Sequence, residues 1–144
     1  MHYSDLIQLY FERSNALQWY WTLYVVVVGG LLAFSSLRVR RDPITGVLVT
    51  VLFCFFAYKN LGAIGDVIGQ RESALQAIHK FPVVMDGPDA RTDAQVRTAL
   101  EPTLITTPVE GVRKFHLASD ALTIAALWAM ELRRMRNARS ELAK

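Results

Sequence analysis

The chain has 144 residues, of which 52% are hydrophobic, with a mean hydropathy of +0.22 and a formal net charge of +3. One domain is the natural count at this length, and without a Lys/Arg run interleaved with aromatics nucleic acid is excluded as an expected partner. The single cysteine, Cys54, excludes an intrachain disulfide and any cysteine-based metal cluster within one chain.

The first segment, residues 1–13, carries apolar residues at Leu6, Ile7, Leu9, Tyr10 and Phe11. Ser4 or Asp5 can cap a helix there, because a side-chain oxygen accepts from the orphan amides of a first turn. The segment predicts a short amphipathic lead-in, either lying on a membrane or running straight into the next segment. Residues 14–37 carry no charge. A bilayer core takes about 20 apolar residues of helix to cross, so this run predicts a first transmembrane span. Asp5 and Glu12 outweigh Arg13 ahead of it, whereas a secretory signal starts with a basic region. The span is therefore expected to be retained, although Ala33-Phe34-Ser35 has the small-x-small form of a cleavage site. Trp19, Trp21 and Tyr24 are expected as interface anchors at its N-terminal end. Arg38, Arg40 and Arg41 are expected to meet lipid headgroups at its C-terminal end.

A second span is expected over residues 43–68. Asp42 is a good N-cap and Pro43 suits the first helical position, where its missing amide costs nothing. Helical spacing through Ala74, Leu75, Ile78 and Phe81 carries the same helix out of the membrane as far as Pro82. Residues 69–113 then form an extramembrane helical loop. Asp86-Gly87-Pro88 is a turn signal, and Asp89 belongs to ordinary loop use. Thr92-x-x-Gln95 predicts a short helix ending near Glu101-Pro102, and Thr107-Pro108-Val109-Glu110 predicts the start of the last one.

The last helix is expected to run to about Leu142, with a third span over 114–132 and a basic cytoplasmic tail over 133–144. From Lys114 to Arg133 it covers about 28 Å, enough for a hydrocarbon core. It contains His116 and Asp120, so two spans plus an amphipathic surface helix is the competing arrangement. Trp128 is its expected interface anchor. Arg133, Arg134 and Arg136 are expected headgroup contacts, and they also complement the helix dipole. With three spans, the 38–42 turn and the tail share a side whose charge is +5, against −2 on the other side. The positive-inside pattern predicts an N-terminus outside and a C-terminus in the cytoplasm, and it fits a bacterial inner membrane.

Lys59 and Asp120 are charges within the expected spans, where they are costly. Their similar depth suggests an intramembrane ion pair between the second and third spans. The chemical alternative is a proton or ion relay that includes His116. The structural alternative is a register-fixing pair, or a lysine reaching for the interface. His79, His116 and Asp120 are metal-ligand types, but their spacing matches no zinc or iron motif, and no metal or cofactor is expected. Small residues at Gly62, Gly65 and Gly69, and at Gly29 and Ala33, suggest close helix packing within the bundle or with a partner.

No phosphate loop, nucleophile motif or intraspan carboxylate pair is present, so an enzyme is not expected. The fold class expected is an all-α integral membrane protein, a three-span bundle whose second and third helices extend beyond the bilayer. The function class expected is a non-catalytic accessory or assembly subunit of a larger membrane complex. Its partners would be the lipid bilayer and other membrane subunits, with homo-oligomerisation open. A self-assembling pore or membrane effector is the alternative, and an oligomeric membrane enzyme or transporter stands behind it.

Overall fold

The computed structural model describes residues 3–38, 42–82 and 90–142. They form four α-helices: α1 (Tyr3–Leu37), α2 (Pro43–Lys80), α3 (Ala90–Leu100) and α4 (Val109–Leu142). A single 3-10 turn, Glu101–Thr103, joins the last two, and there is no strand among the described residues. His2, Arg40, Arg41, Asp86-Gly87-Pro88, Asp89 and Lys144 lie outside the described residues, as do the side chains of Thr92 and Arg139.

Local chemistry places the helix ends. Asp42 is extended (φ −151°, ψ 91°), and its carboxylate accepts from the amides of Ile44 at 3.1 Å and Thr45 at 3.3 Å. Pro43 follows at the first helical position. At the other end Phe81 turns extended (φ −68°, ψ 128°), because the ring of Pro82 disfavours the helical region for the residue before it. Pro102 breaks α3 into the 3-10 turn, and Pro108 stands immediately before α4, where its carbonyl accepts from Val112 at 3.2 Å. α3 begins at Ala90, three residues before the first helical position that its capping pattern predicts.

The lead-in is not a separate surface helix. α1 runs unbroken through residues 3–37, since nothing between Arg13 and Ser14 breaks a helix. With 35, 38 and 34 residues, α1, α2 and α4 each reach about 50 Å or more at 1.5 Å per residue. α1 and α2 lie antiparallel, and α4 packs against both. One core cluster joins Leu6 and Tyr10 of α1 to Ala74, Leu75 and Ile78 of α2, with Leu104 of the linker over them. A second joins Leu17 to Ile64, Val67 and Ile68. The linker is pinned over the first cluster: the hydroxyl of Tyr10 donates to the Ile105 carbonyl at 3.1 Å, as does Arg71. Arg97 of α3 donates to the carbonyls of Ile78 near the end of α2, at 3.2 Å, and of Phe81 just beyond it, at 3.0 Å. It thereby ties α3 to the C-terminal end of α2, where Ile78 also accepts from the Phe81 amide.

The helices are polarised around the bundle. On α2 the buried line is Phe53, Ala57, Asn60, Ile64 and Val67, while Ile44, Val47, Leu48, Val51, Leu52 and Phe55 face outward. By length and composition α1 and α2 are apolar enough to cross a membrane.

Candidate functional site

α4 turns a polar seam inward. His116, Thr123, Leu127 and Glu131 are buried and Asp120 and Arg134 half-buried, at the three- and four-residue spacing of one helix face. Two polar constellations are built on this seam.

The inner one lies where all three long helices meet. α1 presents Trp21 and Tyr24, α2 presents Phe56 and Asn60, and α4 presents His116 and Asp120. The Tyr24 hydroxyl donates to Asp120 Oδ1 at 2.8 Å. The His116 ring lies 4.1 Å from the Tyr24 ring and 5.6 Å from Trp21, centroid to centroid. Tyr24 in turn stacks over Phe56 at 6.5 Å. His116 is fully buried and Asn60 is 4% exposed. Both imidazole nitrogens and both amide atoms of Asn60 lack any protein hydrogen-bond partner. Aromatic faces thus wall in a set of donors and acceptors that Tyr24 and Asp120 alone do not satisfy.

The second constellation is a clasp at the opposite end of the seam. Glu131 is 3% exposed. It accepts from the backbone amide of Asp42 at 3.1 Å and from Arg134 Nη1 at 2.8 Å. Arg134 also donates to the carbonyls of Arg38, at 2.9 Å, and Ser35. Arg38 Nη2 donates to the Asp42 carbonyl at 3.0 Å, and its guanidinium lies over Phe34. The end of α4 is therefore fastened to the turn between α1 and α2 through backbone groups that those helix ends leave unpaired.

The residues singled out in the sequence occupy quite different settings. Lys59 and Asp120 do not pair: Asp120 meets Tyr24, while Lys59 is exposed. The reason is rotational, since the buried line of α2 passes through Ala57 and Asn60 and leaves Lys59 off it. Tyr24 is 3% exposed and belongs to the interior rather than to an interface belt. Trp21 packs inward against Tyr24, Phe115 and His116. Trp19 is exposed and Trp128 half-buried. Arg134 is held in the clasp and Arg38 beside it, whereas Arg133 and Arg136 are exposed. A Cβ on Gly29, Gly62, Gly65 or Gly69 would meet nothing within 4 Å, and Ala33 is exposed. These small residues do not mediate close packing within the chain.

A groove of about 670 Å³ runs between α2 and α4 beside Gly62 and Gly65, with Lys59, Asp66 and Arg113 among its lining residues. Among the described residues no three His, Cys, Asp or Glu side chains gather where they could hold a metal ion. Sequence reading missed Asn60, Glu131 and the role of Arg134. The available signals were the three- and four-residue steps Phe53, Ala57, Asn60 and Ile64, and one acid at the head of a basic tail.

No family model, curated protein or solved structure matches the chain.

Proposed function

We propose that this chain is a three-span protein of a bacterial inner membrane, N-terminus outside, and that it serves as a non-catalytic accessory subunit of a larger membrane assembly. The observation that carries the membrane reading is the inverted polarity of α4. From Phe115 to Leu132 every exposed residue is apolar, and the seam carrying His116, Asp120, Thr123 and Glu131 faces inward. That distribution suits hydrocarbon outside and hydrogen-bonded groups inside. It also explains why a helix of low mean hydropathy can lie in lipid beside α1 and α2. Soluble proteins rarely leave a contiguous apolar surface of more than a few hundred Å² uncovered. Here Ile44 is 80% exposed, Phe55 67% and Leu122 72%.

The subunit reading is supported by where the chain presents itself. Its polar interior is closed by the clasp and by aromatic rings, and what remains outward is helix face, groove and a helical outer cap. A pore would instead carry its polar stripe on the outside of one helix, ready to line a conduit between copies.

The test is the mass of the protein gently extracted from its native membrane, with companions identified by mass spectrometry. The expected result is a larger assembly with defined companions, which misassembles when the chain is deleted. A homo-oligomer without companions that conducts ions in liposomes would replace this reading with the pore.

A further inference from the structure

We infer that the three-helix junction holds bound water, bridging the Asn60 carboxamide and the His116 imidazole into one hydrogen-bonded network with Asp120. The argument starts from depth. Tyr24 touches His116 and Asp120 of α4 and Phe56 of α2, so Phe56 lies beside this one-turn stretch of α4. α2 rises as α4 descends. Asn60, one turn beyond Phe56 on the same face, therefore comes level with His116, one turn before Asp120. Both are almost completely buried, and four polar atoms between them have no protein partner.

A buried amide or imidazole left without hydrogen bonds is costly, more so where lipid surrounds the bundle. A neutral imidazole offers one donor and one acceptor, and the carboxamide offers two donors and an acceptor. Water has both capacities and makes about three hydrogen bonds in a protein interior, so it complements both groups at once. Trp21 and Tyr24 pack on the His116 ring and Phe56 on Tyr24, an aromatic flank that favours a molecule of water's size over a larger ligand. The other carboxylate oxygen of Asp120 lies one turn along α4 from His116, on the side of the same network. The site is then a closed, hydrated node in the membrane interior rather than an open path.

The inference takes its setting from the membrane reading, so co-flotation of the protein with vesicles is measured first and reports on that reading alone. The His2→Gln/His79→Gln variant leaves His116 as the only histidine of the three; His79 is exposed, so its change leaves the bundle interior intact. With 15N-labelled imidazole, in phosphatidylethanolamine/phosphatidylglycerol vesicles, solid-state NMR reads polarisation transfer from water protons to the ring nitrogens. The expected result is transfer to a His116 nitrogen, falling at least about twofold in Asn60→Leu. Absence of transfer in the histidine variant overturns the inference. So does a direct cross-peak from the Asn60 side-chain amide to the ring, which would mean that the two groups satisfy each other. Neither overturning result depends on the Asn60→Leu protein folding.

Discussion

Tyr24 brings a phenolic hydroxyl to a carboxylate 2.8 Å away on another helix. Interhelical hydrogen bonds in membranes average only about 0.6 kcal/mol, with about 1.7 kcal/mol at the upper end. A charged acceptor places this one toward that upper end. Tyr24→Phe keeps the ring contacts with His116 and Phe56 and removes only the donor, so a loss of about 1.5 kcal/mol is expected in unfolding from mixed micelles. A change under about 0.5 kcal/mol would mean that Asp120 is satisfied elsewhere. Glu131 is a different case. Removing one partner of a buried ion pair leaves the other uncompensated and costs about 3–5 kcal/mol. The side chain of Arg134 is 14% exposed, so the lower figure applies and Glu131→Ala is expected to cost about 3 kcal/mol. Glu131→Gln retains an acceptor for the Asp42 amide and should recover part of that loss. Equal losses for the two variants would assign the effect to charge alone.

At the scale of the element, the start of α2 carries a pH dependence whose sign is set by its cap. The hydroxyl of Thr45, then its amide, the Ile44 amide and the Arg38 charge hold the Asp42 carboxyl below the ordinary carboxylate value. A carboxyl depressed in the folded state contributes stability that is fully present above its unfolded value and is lost as pH falls through the folded one. Acidification is therefore expected to loosen the start of α2, read as a fall in the protection of the Ile44 and Thr45 amides relative to their intrinsic exchange at each pH. In Asp42→Asn, which keeps the accepting oxygen, that protection should no longer fall on acidification through the carboxylate range. The same loss of protection in the variant would assign it to another group. This cap was legible in the sequence because capping is a local matter: Asp42-Pro43 and Thr107-Pro108 announce their helices within four residues. The rotational setting of α2 was not legible. Its run over residues 43–58 is apolar on nearly every face, so periodicity does not distinguish the side meeting helices from the side facing outward. Charge drew attention to Lys59, while the seam runs through its neighbour Asn60. Tyr24 was misread for a related reason: an aromatic ring with a polar tip suits an interface, and only the position of Asp120 on a third helix shows that it points inward.

At the scale of the whole molecule, the clasp ties topology to packing. Glu131 and Arg134 engage Asp42, Arg38 and Ser35, so the end of α4 and the α1–α2 turn lie at one end of the bundle. If α1 and α2 cross the bilayer and α4 stays bound to both, α4 crosses as well. A surface helix would have to surrender the clasp and the Tyr24–Asp120 bond together. It would also expose its inward polar seam to lipid or strand its apolar face in water. Charge points the same way, since the basic residues of the turn and of the tail then share the cytoplasmic side. Gln95 in α3 and Ser140 near the end of α4 are both exposed, and they distinguish the two arrangements. In a Cys54→Ser background, Gln95→Cys is expected to react with a membrane-impermeant maleimide on spheroplasts. Ser140→Cys is expected to react only after the membrane is opened. Reaction of both before opening would place α4 outside and leave two spans. Reaction of Ser140→Cys alone would keep three spans and reverse the orientation, so that the basic turn faces outward against the charge pattern.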